Sequence, residues 1–216
     1  MPTLADQYRP RQWSEIIGQD KALTKIRALS ARGLAGRAYW ISGSSGTGKT
    51  SVANLLALEV ADPMNVIELD AAALTVTALR EFEESSRYFG LGVKPGRAYL
   101  VNEAHALKRD VVTQLLVTME RMPSHVIWVF TTTTAGQEKF EFGLDAGPLM
   151  SRCIDLALTQ QGLADKFAAR LHEIALTEHL DGRPPEAYKK LIQRCKNNFR
   201  AALMAIEAGE MLAEGE

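Results

Sequence analysis

Apolar residues in this chain alternate between two rhythms: short unbroken runs of strand length, and longer stretches with an apolar residue every three or four positions. The first rhythm marks buried strands and the second amphipathic helices. Leu23, Ile26 and Leu29 share one helical face between Asp20 and Ala31, with Asp20 as cap and Gly33 as stop. Ala38 to Ile41 then reads as a first strand. Val52, Leu55, Leu56 and Val60 form the face of the next helix, which Pro63 ends. The short apolar stretch Val66 to Leu69 precedes a helix through Val76, Leu79 and Phe82. The turn Lys94, Pro95, Gly96 introduces a strand from Ala98 to Val101, followed by a helix whose face is Val111, Val112, Leu115, Leu116 and Met119, closed at Pro123. Val126 to Phe130 is β-branched and aromatic, a fourth strand, and Ile154, Leu156 and Leu158 alternate as a fifth.

Strands separated by helices predict an α/β fold: a five-stranded parallel sheet with helices on both faces and ligands at the carboxyl ends of the strands. Beyond about Gln160 only helical spacing remains, through Leu163, Phe167, Leu171 and Ile174, then Tyr188, Leu191 and Ile192, then Phe199, Leu203 and Ile206. The break at Asp181, Gly182, Pro184 and Pro185 separates the first of these from the second. The expected organisation is an α/β domain over 1–159 and a small three-helix domain over 160–216.

Composition narrows the class without naming it. The 216 residues are 46% hydrophobic and 24% charged, enough for a sizeable core and too apolar for disorder. No apolar run approaches the roughly 20 residues of a membrane-crossing helix. The opening MPTLADQYRP lacks a signal-peptide core, so a cytoplasmic location is expected. Cys153 and Cys195 are too few for a zinc site of their own and read as reduced and structural. A net charge of -1 gives no global attraction to nucleic acid, so any DNA contact must come from a local patch or from several subunits together.

The chemistry begins after the first strand, where the chain reads GSSGTGKT from Gly43 to Thr50. This is a P-loop. Its glycines let the backbone curl so that NH groups converge on phosphate oxygens, and the helix start adds its unpaired NH groups. The phosphate-binding residues are Gly43, Ser44, Ser45, Gly46, Thr47, Gly48, Lys49, Thr50 and Ser51. Lys49 would reach the β and γ phosphates, and the Thr50 hydroxyl would ligate Mg²⁺. A plain glycine-serine turn would not require the strand before it and the helix after it.

The end of the third strand carries YLVNEAHAL, Tyr99 to Leu107, with Asn102 and Glu103 where a P-loop enzyme places two acidic residues. One such acid holds the water shell of Mg²⁺; the next orients or deprotonates the attacking water. Glu103 supplies the second. Asn102 can accept a hydrogen bond from a metal-bound water but brings no charge. His105 reads as structural, because no carboxylate or cysteine constellation accompanies it. Lys108 and Arg109, at a helix start, could touch phosphate backbone or simply be solvated.

Several segments together resemble the AAA+ clamp-loader ATPases, the family of the replication factor C small subunits and the DNA polymerase III gamma and tau subunits. LADQYRPRQWSEIIGQ, Leu4 to Gln19, is similar to the family's opening segment, which implies an adenine pocket formed by Tyr8, Arg9, Ile17 and Gly18. IELDAA, Ile67 to Ala72, is similar to its second strand. LMSRC, Leu149 to Cys153, carries its SRC motif, which makes Arg152 an arginine finger acting in trans. FTTTT, Phe130 to Thr134, falls at the sensor-1 position, with Thr132 preferred and the register open by one. NNFRAALMAIE resembles the lid helix, placing sensor 2 at Arg200. Without the resemblance, Arg152 and Arg200 would be ordinary surface arginines.

The resemblance implies an AAA+ core and a three-helix lid that bind ATP and Mg²⁺. The implied partners are other AAA+ subunits, a sliding clamp and primed DNA. Three departures qualify it. Asn102 stands where the family has aspartate, which bears on hydrolysis more than on binding. No collar domain follows the lid, as expected of a truncated chain, a shortened relative, or a protein assembling through AAA+ contacts alone. No cysteine lies between P-loop and acidic motif, unlike bacterial relatives with a zinc module. Three functions stay open: a clamp-loader motor, a nucleotide-gated structural subunit with little hydrolysis, and another DNA-repair AAA+ ATPase such as a branch-migration or replication-restart motor.

Overall fold

The computed structural model describes residues 2–133 and 147–212. By internal contacts the chain divides into two compact units, one of residues 20–43 and 49–158, the other of residues 1–19, 44–48 and 159–216.

The first unit is the α/β layer structure. Five strands, β1 (Arg37–Ser42), β2 (Val66–Asp70), β3 (Arg97–Asn102), β4 (Val126–Thr132) and β5 (Cys153–Ala157), form one parallel sheet in the order β2-β3-β4-β1-β5. The central strands read as continuous apolar runs because helices cover both faces of a parallel sheet; every residue of β4 is buried. Edge strand β2 differs: Ile67, Glu68 and Asp70 are exposed. Helix α2 (Asp20–Ser30) precedes β1, α3 (Lys49–Val60) follows it, and α4 (Val76–Ser85) and α5 (Arg109–Glu120) complete the layers. Asp20 is the first helical residue of α2 rather than its cap, and α3 ends at Val60, three residues before Pro63. Proline sterics act on the preceding residues, so the helix stops ahead of the ring.

One face of the sheet carries an aromatic ladder. Tyr99 and Trp128 stack with centroids 4.6 Å apart, Trp128 and Phe130 at 5.9 Å, and Trp40 and Phe130 at 5.9 Å. The register that pairs Tyr99 with Trp128 and Trp40 with Phe130 puts these rings on one side, where they pack with Leu79, Leu107 and Leu115. The ladder fixes strand register, and register sets which side chains meet at the strand ends.

The second unit is helical. A one-turn helix α1 (Leu4–Gln7), too short to show periodicity, is capped by Thr3 and packs its Leu4 into a core built by α7 (Ala164–Thr177), α8 (Pro185–Arg194) and α9 (Phe199–Glu207). A further short helix, α6 (Gly147–Met150), precedes β5 in the first unit. Among the described residues no helix is long and apolar enough to cross a membrane.

Candidate nucleotide site

Strand β1 ends at Ser42 and α3 opens at Lys49, so the P-loop is the connection between them. Gly46 and Gly48 both lie at positive φ, 77° and 89°, which side chains with a β-carbon rarely adopt. At Gly46 an added Cβ would also meet the Asn198 side-chain oxygen at 2.1 Å, so that side chain would have to shift. Thr47 Oγ1 donates to the Ser44 carbonyl at 2.8 Å and Gln160 Nε2 to the Ser45 carbonyl at 2.7 Å. Lys49 is 9% exposed and its ammonium donates to the Gly43 carbonyl at 2.9 Å, which holds the charge back over the loop's own entrance.

The helical unit supplies the residues around Asn198. This asparagine caps α9, its Oδ1 accepting from the Ala201 NH at 3.1 Å. Lys196 and Asn197 before it are both left-handed, at φ 53° and 57°. Arg200, in the first turn of α9, is exposed and has no ion-pair partner among the described residues. Tyr8 donates to Glu178 at 2.6 Å, lies 5.9 Å under the Arg170 guanidinium, and has its phenol held above the usual value chiefly by that hydrogen bond. Arg9 pairs with Asp6 at 3.2 Å. Ile17 packs on the helical core, and Leu163 Cδ2 would lie 2.1 Å from a β-carbon at Gly18, where φ is 69°.

At the carboxyl end of β3 the acidic motif turns sharply. Glu103 is left-handed, φ 52° and ψ 48°, a conformation that costs a residue with a β-carbon on the order of 1–2 kcal/mol. Its carboxylate lies 3.4 Å from His105 Nδ1, and that same nitrogen is 3.3 Å from Thr132 Oγ1. His105 thus bridges the acid and the threonine assigned to sensor 1. Asn102 Nδ2 donates to Glu68 Oε1 at 2.7 Å, and Asn102 Oδ1 accepts from Thr131 Oγ1 at 2.9 Å. Thr131 and Thr132, on opposite faces of β4, each engage the motif; Thr134 lies outside the described residues.

Arg152 stands elsewhere. It precedes Cys153, which pairs with Ala38 near the start of β1, whereas the P-loop leaves from the other end of that strand. Six residues of strand separate the two ends, roughly 17 Å. The guanidinium donates to Glu120 at 2.7 Å and to the Pro148 carbonyl at 2.9 Å, beside a cavity of about 340 Å³ bordered by Arg37, Met119 and Ile154. The Cys153 sulfur donates to the Leu149 carbonyl at 3.3 Å, and burial among apolar neighbours pushes its thiol up to about 12. Folded protein is therefore expected to leave Cys153 unmodified by iodoacetamide at pH 8, with labelling appearing on denaturation, as read by peptide mass spectrometry. Because the folded value lies above the ordinary one near 9, the thiol's contribution to stability is full below pH 9 and falls as pH climbs toward 12.

Residues 39–141 match the family described as ATPases associated with various cellular activities (AAA). The chain is 27% identical to DNA polymerase III subunit tau of Escherichia coli over 99% of its own length, and 30% identical to DNA polymerase III subunit gamma of Buchnera aphidicola from Acyrthosiphon pisum over 98%. The AAA match and the near-full-length similarity to DNA polymerase III gamma and tau subunits support the AAA+ clamp-loader family for this chain. The chain spans 35% of that tau subunit and 62% of that gamma subunit. The AAA+ fold is shared with the RuvB Holliday junction branch migration motor of Thermotoga maritima, with a TM-score of 0.71 and 21% identity over 93% of this chain and 64% of that one.

Three partners of the AAA+ motifs escaped sequence reading. Glu68 and Thr131 meet Asn102 only through strand register, for which no local signal exists. Asn198 caps a helix visibly enough, but its approach to Gly46 is a contact between segments far apart in the chain. His105 did carry a signal, its spacing two residues after Glu103.

Proposed function

We propose that this chain is an ATP-binding clamp-loader-like subunit that hydrolyses ATP in an assembly and couples the nucleotide to opening or placing a sliding clamp on DNA. The observation that carries the reading is the separation of Lys49 and Arg152 to opposite ends of β1: a chain with both an intact P-loop and an arginine finger that cannot reach it completes its site from a neighbour. The relatives named as DNA polymerase III subunits support replication as the setting.

In this reading the P-loop amides and Lys49 bind the phosphates, and Tyr8, Arg9, Ile17 and Gly18 enclose the adenine. Arg200 senses the γ phosphate from a lid over 160–216. Thr50 and, through water, Asn102 would hold Mg²⁺, which neutralises phosphate charge. The donor set fits such an ion: a helix-start hydroxyl and an amide oxygen, with no cage of three or more His, Cys, Asp or Glu among the described residues. Glu103 orients the attacking water, and His105 Nδ1, near both the carboxylate and the Thr132 hydroxyl, helps to hold the two in place.

A test is the ATPase rate per chain against protein concentration, with and without primed DNA and a sliding clamp. A rate that rises with concentration and with clamp and DNA is expected; failure to bind ATP overturns the proposal. One observation favours a second reading, a nucleotide-gated subunit with little hydrolysis, namely the uncharged Asn102. Tight binding with no turnover under any of these conditions would establish it.

A further inference from the structure

Resting on the nucleotide reading above, we infer that Glu68 is a positioning residue that fixes the orientation of the Asn102 amide, and that Glu68 and Asn102 together are a polarity-exchanged form of the acidic site. An amide is two-ended: one end accepts hydrogen bonds, the other donates, and their shapes are nearly the same. Water bound to a cation points its hydrogens outward, so only the accepting end of Asn102 can meet it. A flipped amide would set donors against donors. An asparagine at this position therefore works only if something forbids the flip.

The three strands β2, β3 and β4 supply that constraint. Glu68, Asn102 and Thr131 come from adjacent strands and meet in one hydrogen-bonded row, 2.7 Å from Asn102 Nδ2 to Glu68 Oε1 and 2.9 Å from Thr131 Oγ1 to Asn102 Oδ1. A carboxylate only accepts, so the end of the amide facing edge strand β2 must be the NH₂. The oxygen is thereby turned toward β4, and β4 lies beside β1, the strand that leads into the P-loop. Thr131 occupies one lone pair of that oxygen and leaves the other.

The same geometry explains why aspartate does not suit this chain. A carboxylate at 102 would sit at hydrogen-bonding distance from the Glu68 carboxylate with no proton between them. Asparagine turns that repulsion into a charge-assisted bond. Exchanging both residues, Glu68→Gln with Asn102→Asp, reverses donor and acceptor and keeps the row intact, now with the charge on β3.

The test is a double-mutant cycle on the full chain with two readouts. Without nucleotide, Asn102→Asp is expected to lower Tm by about 2–4 °C, the scale of one like-charge pair in a chain of this size, and adding Glu68→Gln to recover most of that loss. With a fluorescent ATP analogue, Glu68→Gln alone is expected to raise the Mg²⁺ concentration for half-maximal binding several-fold, since glutamine accepts either amide orientation. The double variant is expected to lower it below wild type. Additive Tm shifts, or an Mg²⁺ response that Glu68→Gln leaves unchanged, overturn the inference. Wild-type protein that binds no nucleotide overturns the proposed function and this role with it, while coupling in the nucleotide-free proteins reports separately on the Glu68–Asn102 pair.

Discussion

Replacing Arg152 by alanine is expected to reduce ATP turnover by about 10³-fold or more while nucleotide affinity stays within about twofold, the scale of losing an arginine finger. The split follows from position. Arg152 sits at the amino-terminal end of the sheet, a full strand length from Lys49, so its removal leaves the chain's own phosphate cradle untouched. Its partners do not imprison it. The Glu120 pair is formed by side chains 37% and 62% exposed, and an exposed pair of this kind holds by about 1 kcal/mol at most. A neighbour's γ phosphate, with more charge and less water, competes with that easily. The decisive measurement mixes two inactive proteins, Arg152→Ala with Lys49→Ala. Turnover should reappear, since the first still offers an intact P-loop and the second an intact finger. Mixtures that stay inactive, or an Arg152→Ala protein that no longer binds ATP, would contradict a shared site.

Lys49→Ala is expected to weaken ATP binding by about 30-fold or more, measured by calorimetry. Its ammonium is buried against the Gly43 carbonyl, in a loop held by the Thr47 and Gln160 hydrogen bonds. Truncating one partner of a desolvated charge pair costs about 2–5 kcal/mol, or 30-fold to several thousandfold in affinity. Alanine is a strong helix former and Lys49 opens α3, so the fold should persist with little change in Tm. An affinity within threefold of wild type would mean that the phosphates lie elsewhere.

Much of this architecture was legible from residue order. All five strands and the three helices after Gln160 are visible as apolar rhythm, because fully buried strands such as β4 leave no polar interruptions. The P-loop was legible because its chemistry is local: glycines, lysine and threonine act within one turn of chain. Strand order was not legible, since nothing in β1 says that β4 and β5 will flank it. For the same reason the row Glu68, Asn102, Thr131 was invisible, and Asn102 looked like a missing charge when its amide is in fact bonded at both ends. The backbone of Glu103 was hidden too: a left-handed glutamate has no signature in composition, only a cost that the surrounding fold must meet.

The edges of the sheet constrain how such subunits can meet. β2 presents Glu68 and Asp70 to solvent, and on the opposite edge the Lys25 ammonium donates to the Asp155 carbonyl of β5 at 2.7 Å. Charged or occupied edges resist the addition of a further strand. Neighbours that met by extending the sheet would be sewn together through their backbones and could part only by tearing a ladder of hydrogen bonds. In the proposed assembly, borders guarded in this way would leave contact to side chains such as Arg152, and a joint made of side chains could be opened and remade at every turnover.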